Sequence, residues 1–130
     1  MGTPRPRSVV LDAGALIALE KRSRKMEALL RQTQVRRVEI LILAGVLAQV
    51  WSGSPMQAPL SMLLNRATTK VVTLDRVLAE AVGRLLRQCG ASDVVDASVV
   101  VVARTARAIV VTSDPDDLRA LDPSIELAVI

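Results

Sequence analysis

Five short runs of aliphatic and β-branched residues punctuate the chain and constrain its fold more than any other feature. In order, they are SVVL (8–11), EILIL (39–43), KVVTL (70–74), IVVT (109–112) and ELAVI (126–130). The segments between them carry apolar residues at helical spacing. Short strands that alternate with helices form a parallel sheet that is covered by helices on both faces. The sequence therefore predicts an α/β fold with a central, mostly parallel sheet.

The predicted helices fill the intervals between these strands. Asp75 opens a helix over 76–88, and Asp114 followed by Pro115 is typical of an N-cap and first helical position. The segment 93–107 contains four consecutive valines but is longer than a typical strand, so we expect a helix there. The other predicted helices cover residues 13–20, 23–36, 44–51 and 59–66.

A chain of 130 residues, 51% of them hydrophobic, is long enough for one well-buried domain. No repeat or linker is visible, so residues 1–130 are expected to form a single domain with a disordered basic tail at 1–7. No apolar run is long enough to span a bilayer, and no signal peptide is recognisable. Cys89 is the only cysteine, which excludes an internal disulfide and suits a reducing compartment. We expect a cytoplasmic protein with no membrane partner.

The chain contains no histidine. This excludes Ser-His-Asp and Cys-His catalysis and the commonest zinc ligand. Catalysis would have to use carboxylates, hydroxyls or a hard metal ion, which prefers oxygen ligands. The charge is also uneven, because residues 1–37 hold nine Lys or Arg against three acids and residues 38–130 hold eight against ten. A basic face beside carboxylates suits a site that processes a polyanion, although a solvated basic helix explains it as simply.

Acidic residues stand where the predicted strands end. Asp12 follows the first strand and Asp114 follows the fourth, while Asp93 and Asp96 open the helix that leads into the fourth. Carboxyl ends of parallel strands meet at one edge of the sheet, and residues three apart share a helix face. Asp12, Asp75, Asp93 and Asp114 could each simply favour a helix N-terminus. Asp96 needs a partner, because it lies within an apolar helix where an unpaired charge is expensive, and a shared metal ion would supply one.

Four segments, VLDAGALIALE, AGVLAQVW, DVVDASVVVVA and VVTSDPDDL, resemble in their order and spacing those of the PIN domain family. The resemblance covers nearly the whole chain from Val9 and is closest to the VapC-type ribonuclease toxins of bacterial toxin–antitoxin pairs. It implies a three-layer α/β/α sandwich and hydrolysis of RNA phosphodiesters with Mg²⁺ or Mn²⁺. It further implies a VapB-like antitoxin as a partner and a homodimer, for which helices 23–36 and 55–66 are candidate contact surfaces.

The resemblance also assigns residues to the site. It implies that Asp12, Asp96 and Asp114 are the catalytic acids and metal ligands, with Asp117 as a helper and Thr112 orienting a ligand or water. The departure is Gln49, because the family usually has a glutamate in this helix. We interpret Asp93 as a further metal ligand that compensates for the missing charge. For RNA binding, the basic N-terminal third offers Arg5, Arg7, Lys21, Arg22, Arg24 and Lys25.

Two other functions remain open at this point. Gln49 allows a catalytically weak or inactive PIN-fold protein that binds RNA or a partner without cutting it. A phospho-receiver domain also carries acids at strand ends, but it requires a lysine after its last core strand, where IVVTSD has none. A ribonuclease is the interpretation that we favour.

Overall fold

The computed structural model describes residues 8–130, and they form a five-stranded sheet with helices on both sides. The strands are β1 (Ser8–Leu11), β2 (Glu39–Leu43), β3 (Thr69–Val72), β4 (Ile109–Thr112) and β5 (Leu127–Val129). Every neighbouring pair is parallel, and the strand order is β3-β2-β1-β4-β5. The predicted α/β fold is therefore confirmed, and the sheet is entirely parallel over these residues.

Residues 8–130 contain seven α-helices, which connect and cover the strands. They are α1 (Ala13–Glu20), α2 (Arg24–Val35), α3 (Ala44–Val50), α4 (Ala58–Leu64), α5 (Arg76–Cys89), α6 (Val94–Ala106) and α7 (Pro115–Leu121). Helix α1 packs on α3 and α4, and α5, α6 and α7 pack on one another, so that the sheet lies between two helical layers. A 3-10 turn at Pro55–Gln57 precedes α4.

The core forms where the central strands meet α6. Val10 of β1 and Val110 and Val111 of β4 are fully buried, as strands covered on both faces require. Val99 and Val100 of α6 are also buried against this sheet. The valine run lies inside a helix, Val94–Ala106, that packs on the central strands, and the prediction of a helix at 93–107 is confirmed.

Aspartates set the beginnings of three helices. The side chains of Asp12, Asp75 and Asp93 accept hydrogen bonds from backbone N–H groups three residues ahead, at 3.0, 2.9 and 2.9 Å. Each bond satisfies a donor that the first helical turn leaves free. These three caps agree with the sequence, and they place Asp12 between β1 and α1 and Asp93 directly before α6.

The boundaries of several elements differ from those predicted. The third strand ends at Val72 rather than Leu74, because Leu74 is exposed and belongs to the loop that Asp75 closes. The helix expected at 59–66 begins at Ala58 and ends at Leu64. Among residues 8–130, no helix is long and apolar enough to cross a membrane.

Candidate active site

Asp12 stands at the junction of β1 and α1 and is fixed from two sides. Its carboxylate accepts a hydrogen bond from the N–H of Ala15 at 3.0 Å, and its own N–H donates to the carbonyl of Val111 in β4 at 3.2 Å. The second bond extends the β1–β4 pairing by one residue. Asp12 is therefore held at the carboxyl edge of the sheet, beside the end of β4.

Asp96 lies one turn into α6, partly buried, with other carboxylates around it. Its pKa is raised from 3.8 to about 6, first by burial and then by the negative charges of Asp93, Asp117, Asp12 and Asp114. The structure therefore brings the other four predicted acids within electrostatic range of Asp96, and no basic residue is among the causes of its pKa shift.

Asp114 differs from its expected role as the N-cap of α7. It occupies the N-cap position, but its side chain makes no capping hydrogen bond. Its pKa is raised above 3.8, first by a side-chain hydrogen bond with Asp117 and then by the charge of Asp117. Two carboxyl groups can share a hydrogen bond only when one of them carries a proton. The two side chains are thus turned toward each other at the start of α7.

Thr112 is the last residue of β4 and lies directly behind this pair. Its side chain is fully buried, and its hydroxyl oxygen accepts a hydrogen bond from the N–H of Asp114 at 2.9 Å. Thr112 thereby holds the backbone of Asp114 at the end of β4. Its role in orienting a ligand or water stays a prediction.

Gly14 and Ser113 make a close approach that sequence reasoning missed. A Cβ atom on Gly14 would lie 2.0 Å from the hydroxyl oxygen of Ser113 and 3.0 Å from its Cβ. Helix α1 therefore packs directly on the loop between β4 and α7, with Asp12 on one side of the contact and Asp114 on the other. The available signal was a glycine inside an otherwise apolar helix, which often marks a close approach of two backbones.

Gln49 is exposed on α3, and no hydrogen bond of its side chain occurs within residues 8–130. It lies one turn after Gly45, where an added Cβ would come within 3.3 Å of Val95 at the start of α6. Residues four apart share a helix face, so Gln49 is on the side of α3 that faces the beginning of α6.

The acids have the chemistry of a metal site but not a finished ligand geometry. Among residues 8–130, no three His, Cys, Asp or Glu side chains are placed as a ready set of ligands for one ion. The donor atoms at this edge are carboxylate oxygens, which Mg²⁺ and Mn²⁺ prefer. The pKa of Asp96 is raised first by burial and then by the charges of the other acids, and no base is among the causes of this shift. These residues fit a hard divalent cation, provided that side chains such as the paired Asp114 and Asp117 rotate to bind it.

The basic residues predicted to bind RNA are only partly placed near this edge. Arg5 and Arg7 lie outside the described residues. Lys25 donates a hydrogen bond of 2.8 Å to the carbonyl of Val129, at the carboxyl end of β5, so the beginning of α2 lies at the same edge of the sheet as the acids. Three further candidates around the α1–α2 turn are exposed, namely Lys21, Arg22 and Arg24.

A groove of about 520 Å³ lies between α2 and α4 and contains none of the five acids of the candidate site. Leu30, Leu63 and Met62 supply its apolar lining, Arg31 and Arg66 supply positive charge, and Glu27 supplies negative charge. Met62 and the neighbouring Met56 are strongly exposed. The groove therefore lies on the helices predicted as contact surfaces, away from the candidate active site.

Comparisons with known proteins agree with this architecture. The chain superimposes on VapBC2 from Rickettsia felis bound to a promoter DNA fragment, at 17% identity and a TM-score of 0.69, covering 94% of this chain and 98% of that one. FitAcB from Neisseria gonorrhoeae matches at 14% identity with a TM-score of 0.62, and the match covers 92% of this chain and 95% of that one. PAE2754 from Pyrobaculum aerophilum matches at 25% identity with a TM-score of 0.59, and the match covers 92% of this chain and 90% of that one.

At the level of sequence, no curated protein matches the chain significantly. The model of the PIN domain, by contrast, matches residues 9–122. This match spans every strand from β1 to β4 and all the acids described above. The chain belongs to the PIN domain family.

Proposed function

We propose that this chain is a metal-dependent endoribonuclease and the toxin of a toxin–antitoxin pair. PIN domains are generally nucleases. The observation that carries the proposal is the group of four carboxylates, Asp93, Asp117, Asp12 and Asp114, whose charges add to burial in raising the pKa of Asp96 at the carboxyl edge of a parallel sheet. Ligands of such sheets bind at this edge. A phospho-receiver function has no comparable support.

In this proposal, Asp12, Asp96 and Asp114 are the catalytic ligands of one or more Mg²⁺ or Mn²⁺ ions, with Asp93 and Asp117 beside them. The ion would neutralise the charge that builds up on the phosphoryl oxygens and would activate a water molecule. The chain's own contribution is placement. The caps to Ala15 and Asp96 and the Thr112 bond to Asp114 hold the backbone of the ligands in fixed positions.

The RNA backbone would be held near the acids by the basic α1–α2 turn. Lys25 is already at the carboxyl edge, and Lys21, Arg22 and Arg24 precede it in the chain. The chain has a single aromatic residue, Trp51, so stacking of successive bases on aromatic side chains is not available. Recognition would therefore rest on phosphate contacts and RNA shape.

Cleavage assays test the proposal directly. Total RNA is incubated with the purified protein in EDTA, in Mg²⁺ and in Mn²⁺, and the Asp12→Asn and Asp96→Asn variants are assayed beside the parent. Asp75→Asn is the matched control, because Asp75 only caps α5 and asparagine caps a helix equally well. We expect metal-dependent cleavage by the parent and the control, and loss of at least a hundredfold in the two variants. A parent that binds RNA without cutting it in any metal would instead support the inactive PIN-fold alternative.

The partners form a separate part of the proposal. A homodimer and a VapB-like antitoxin are expected, and the R. felis structure, which is of VapBC2 with DNA, is consistent with a toxin–antitoxin assignment. Exposed Met56 and Met62 beside the α2–α4 groove supply apolar surface for such contacts. Light scattering at micromolar concentration tests the dimer, and a monomer would contradict it. We place the activity in the cytoplasm, in line with the single, unpaired Cys89.

A further inference from the structure

Arginines precede strands at the amino edge of the sheet, opposite the acids. All strands of a parallel sheet begin at the same edge, and the order here is β3-β2-β1-β4-β5. Arg66 precedes β3, Arg36 and Arg37 precede β2, and Arg107 precedes β4. We call these four residues the basic edge. In the sequence, Arg5 and Arg7 precede β1, which lies between β2 and β4.

The strand register aligns in a row the strands that the basic edge precedes, while the guanidinium of Arg66 itself donates to the carbonyl of Leu30 at 3.5 Å beside the α2–α4 groove. Thr69, Ile40, Val9 and Ile109 are aligned across the four strands. Arg66 and Arg37 each stand three residues before their member of this row, and Arg107 stands two before. At about 4.8 Å between strands, the row from β3 to β4 is about 15 Å long. A nucleic acid strand advances about 3.4 Å per nucleotide in a duplex, so the row matches several phosphates.

The charges of the basic edge are not neutralised within residues 8–130. The ion pairs there are Lys70–Glu39, Arg76–Glu80 and Arg104–Asp122, and none includes a member of the basic edge. Glu39 and Asp122, two acids near this edge, are thereby engaged by other bases. Glu126, in the groove that Arg107 lines, is the remaining acid beside it. The edge therefore keeps an excess of positive charge.

The backbone at two of these arginines would favour glycine. Arg37 and Arg107 have φ of 53° and 52°, in the left-handed region. At the end of α5 the same region is occupied by Gly90, with φ of 63°. A side chain in this conformation is disfavoured relative to glycine. Arg22, after α1, has the same conformation, and each of the three arginines follows the end of a helix, where a positive charge is favourable. The proposal for the basic edge therefore rests on its position and its unpaired charge within residues 8–130 rather than on this backbone conformation.

We propose that the basic edge binds the phosphate backbone of a nucleic acid strand, on a surface separate from the acidic cluster. Its arginines present forked donors that match phosphate oxygens. All four residues of the basic edge are arginines, so no aromatic side chain is present for base stacking and the contact is independent of base sequence. Binding at the basic edge does not require cleavage, so it is independent of the proposed nuclease activity.

The test measures binding of a fluorescent 24-nucleotide 2′-O-methyl RNA in EDTA, by anisotropy over a range of salt concentrations. The variant is Arg37→Gly/Arg107→Gly, and the matched control is Arg84→Gln/Arg87→Gln, which removes the same charge from the exposed face of α5. Each phosphate contact contributes about 0.7 to the slope of log affinity against log salt for a single strand. Loss of two contacts should lower that slope by about 1.4 and weaken binding roughly tenfold or more at 0.1 M salt.

The melting temperature and the RNA affinity of the variant should respond differently. We expect the melting temperature of Arg37→Gly/Arg107→Gly to stay the same or rise, because glycine suits the left-handed backbone, while its RNA affinity falls. The control should lose less than threefold in affinity. Equal losses in variant and control would show a simple effect of net charge and overturn the proposal, as would a parent that does not bind the probe. Competition by polyglutamate as effective as that by polyuridylate would overturn the choice of nucleic acid as the partner.

Discussion

The side-chain amide of Gln57 donates a hydrogen bond of 2.7 Å to the carbonyl of Val50, the last residue of α3. Its oxygen accepts from the N–H groups of Ser52 and Gly53 at 2.9 and 3.1 Å, and the residue is 1% exposed. One buried amide thus satisfies three backbone groups of the loop after α3. It fixes where this helix ends, and with it the orientation of the face that carries Gln49.

Replacing Gln57 by leucine should therefore destabilise the protein markedly. Leucine has a similar volume, but it leaves the three backbone groups of the loop without partners, at a cost of about 2–4 kcal/mol in the free energy of unfolding. Gln88→Leu is the control, since Gln88 is exposed on α5. Urea denaturation followed by circular dichroism measures both. A loss at Gln57 no larger than at Gln88 would show that the loop is solvated instead.

The contact between Gly14 and Ser113 predicts an unusual glycine substitution. Gly→Ala inside a helix normally stabilises by up to about 1 kcal/mol. At Gly14 the new methyl group would collide with Ser113, so we expect a loss of about 1–3 kcal/mol, as for other overpacked sites. Gly83→Ala on α5, where nothing lies within 4 Å, is the control and should stabilise.

A second substitution shows whether the collision is the cause. Ser113→Gly removes the atoms that an alanine at residue 14 would meet, so the Gly14→Ala/Ser113→Gly double variant should recover most of the lost stability. Strict additivity of the two changes would mean that Gly14 matters for another reason.

The environment of Asp96 predicts a dependence of stability on pH in the metal-free protein. The pKa of Asp96 is about 6 in the folded state against 3.8 for the ordinary group. Folding thus disfavours the charged form, and this contribution to stability is gained as pH falls from about 7 towards 4. Asp96→Asn should remove the effect and stabilise the protein at pH 7.5 by on the order of 1 kcal/mol, a value that allows for solvent screening. Thermal unfolding in EDTA, with Asp75→Asn as control, measures the difference, and a destabilised Asp96→Asn would contradict it.

Asp122 should show the opposite behaviour. Its carboxylate is buried, accepts from Nε of Arg104 at 2.7 Å and from Ser124, and these hydrogen bonds lower its pKa below 3.8. The resulting stabilisation is present above pH 3.8 and is lost as pH falls below it. Arg104→Gln should destabilise by about 2 kcal/mol at pH 7, and by less at pH 3. An equal loss at both pH values, measured by urea denaturation, would exclude the charge of Asp122 as the cause.

The sequence predicts this fold well because the determining signals are local. β-Branched runs mark the strands. Asp12, Asp75 and Asp93 each cap the helix that follows by accepting a hydrogen bond from the N–H three residues ahead, as their positions in the sequence indicate. The same locality places the acids at one edge, since parallel strands share their carboxyl ends. The chain's own order is therefore enough to bring Asp12 and Asp96 together.

The features that the sequence does not predict depend on contacts between distant segments or on side-chain rotation. Gly14 meets Ser113 only after α1 packs on the loop beyond β4, 99 residues later in the chain. Asp114 turns to Asp117 instead of capping α7, although its position, before Pro115, is typical of a cap. Strand β3 ends two residues before the predicted Leu74, because Leu74 is exposed beside this edge strand of the sheet.

At Gln49 the family's usual glutamate is replaced by a neutral amide. Gln49 is exposed on the side of α3 that faces the start of α6, so a carboxylate here could rotate toward the acids without displacing a buried group. Two unit charges about 4 Å apart interact by roughly 4 kcal/mol at an effective dielectric of about 20, before desolvation is subtracted. If about a third of this interaction energy remains after desolvation, Gln49→Glu should bind Mn²⁺ about tenfold more tightly than the parent.

Calorimetric titration of Mn²⁺ into the parent, Gln49→Glu and Gln88→Glu measures whether a carboxylate at residue 49 raises the Mn²⁺ affinity. Gln88→Glu adds the same charge at an exposed position of α5 and should leave the affinity unchanged. Faster RNA cleavage by Gln49→Glu would accompany the tighter binding if the ion acts in catalysis. Equal affinities in all three proteins would mean that residue 49 does not reach the ion, and the charge of Asp93 would then have to serve in place of the missing glutamate.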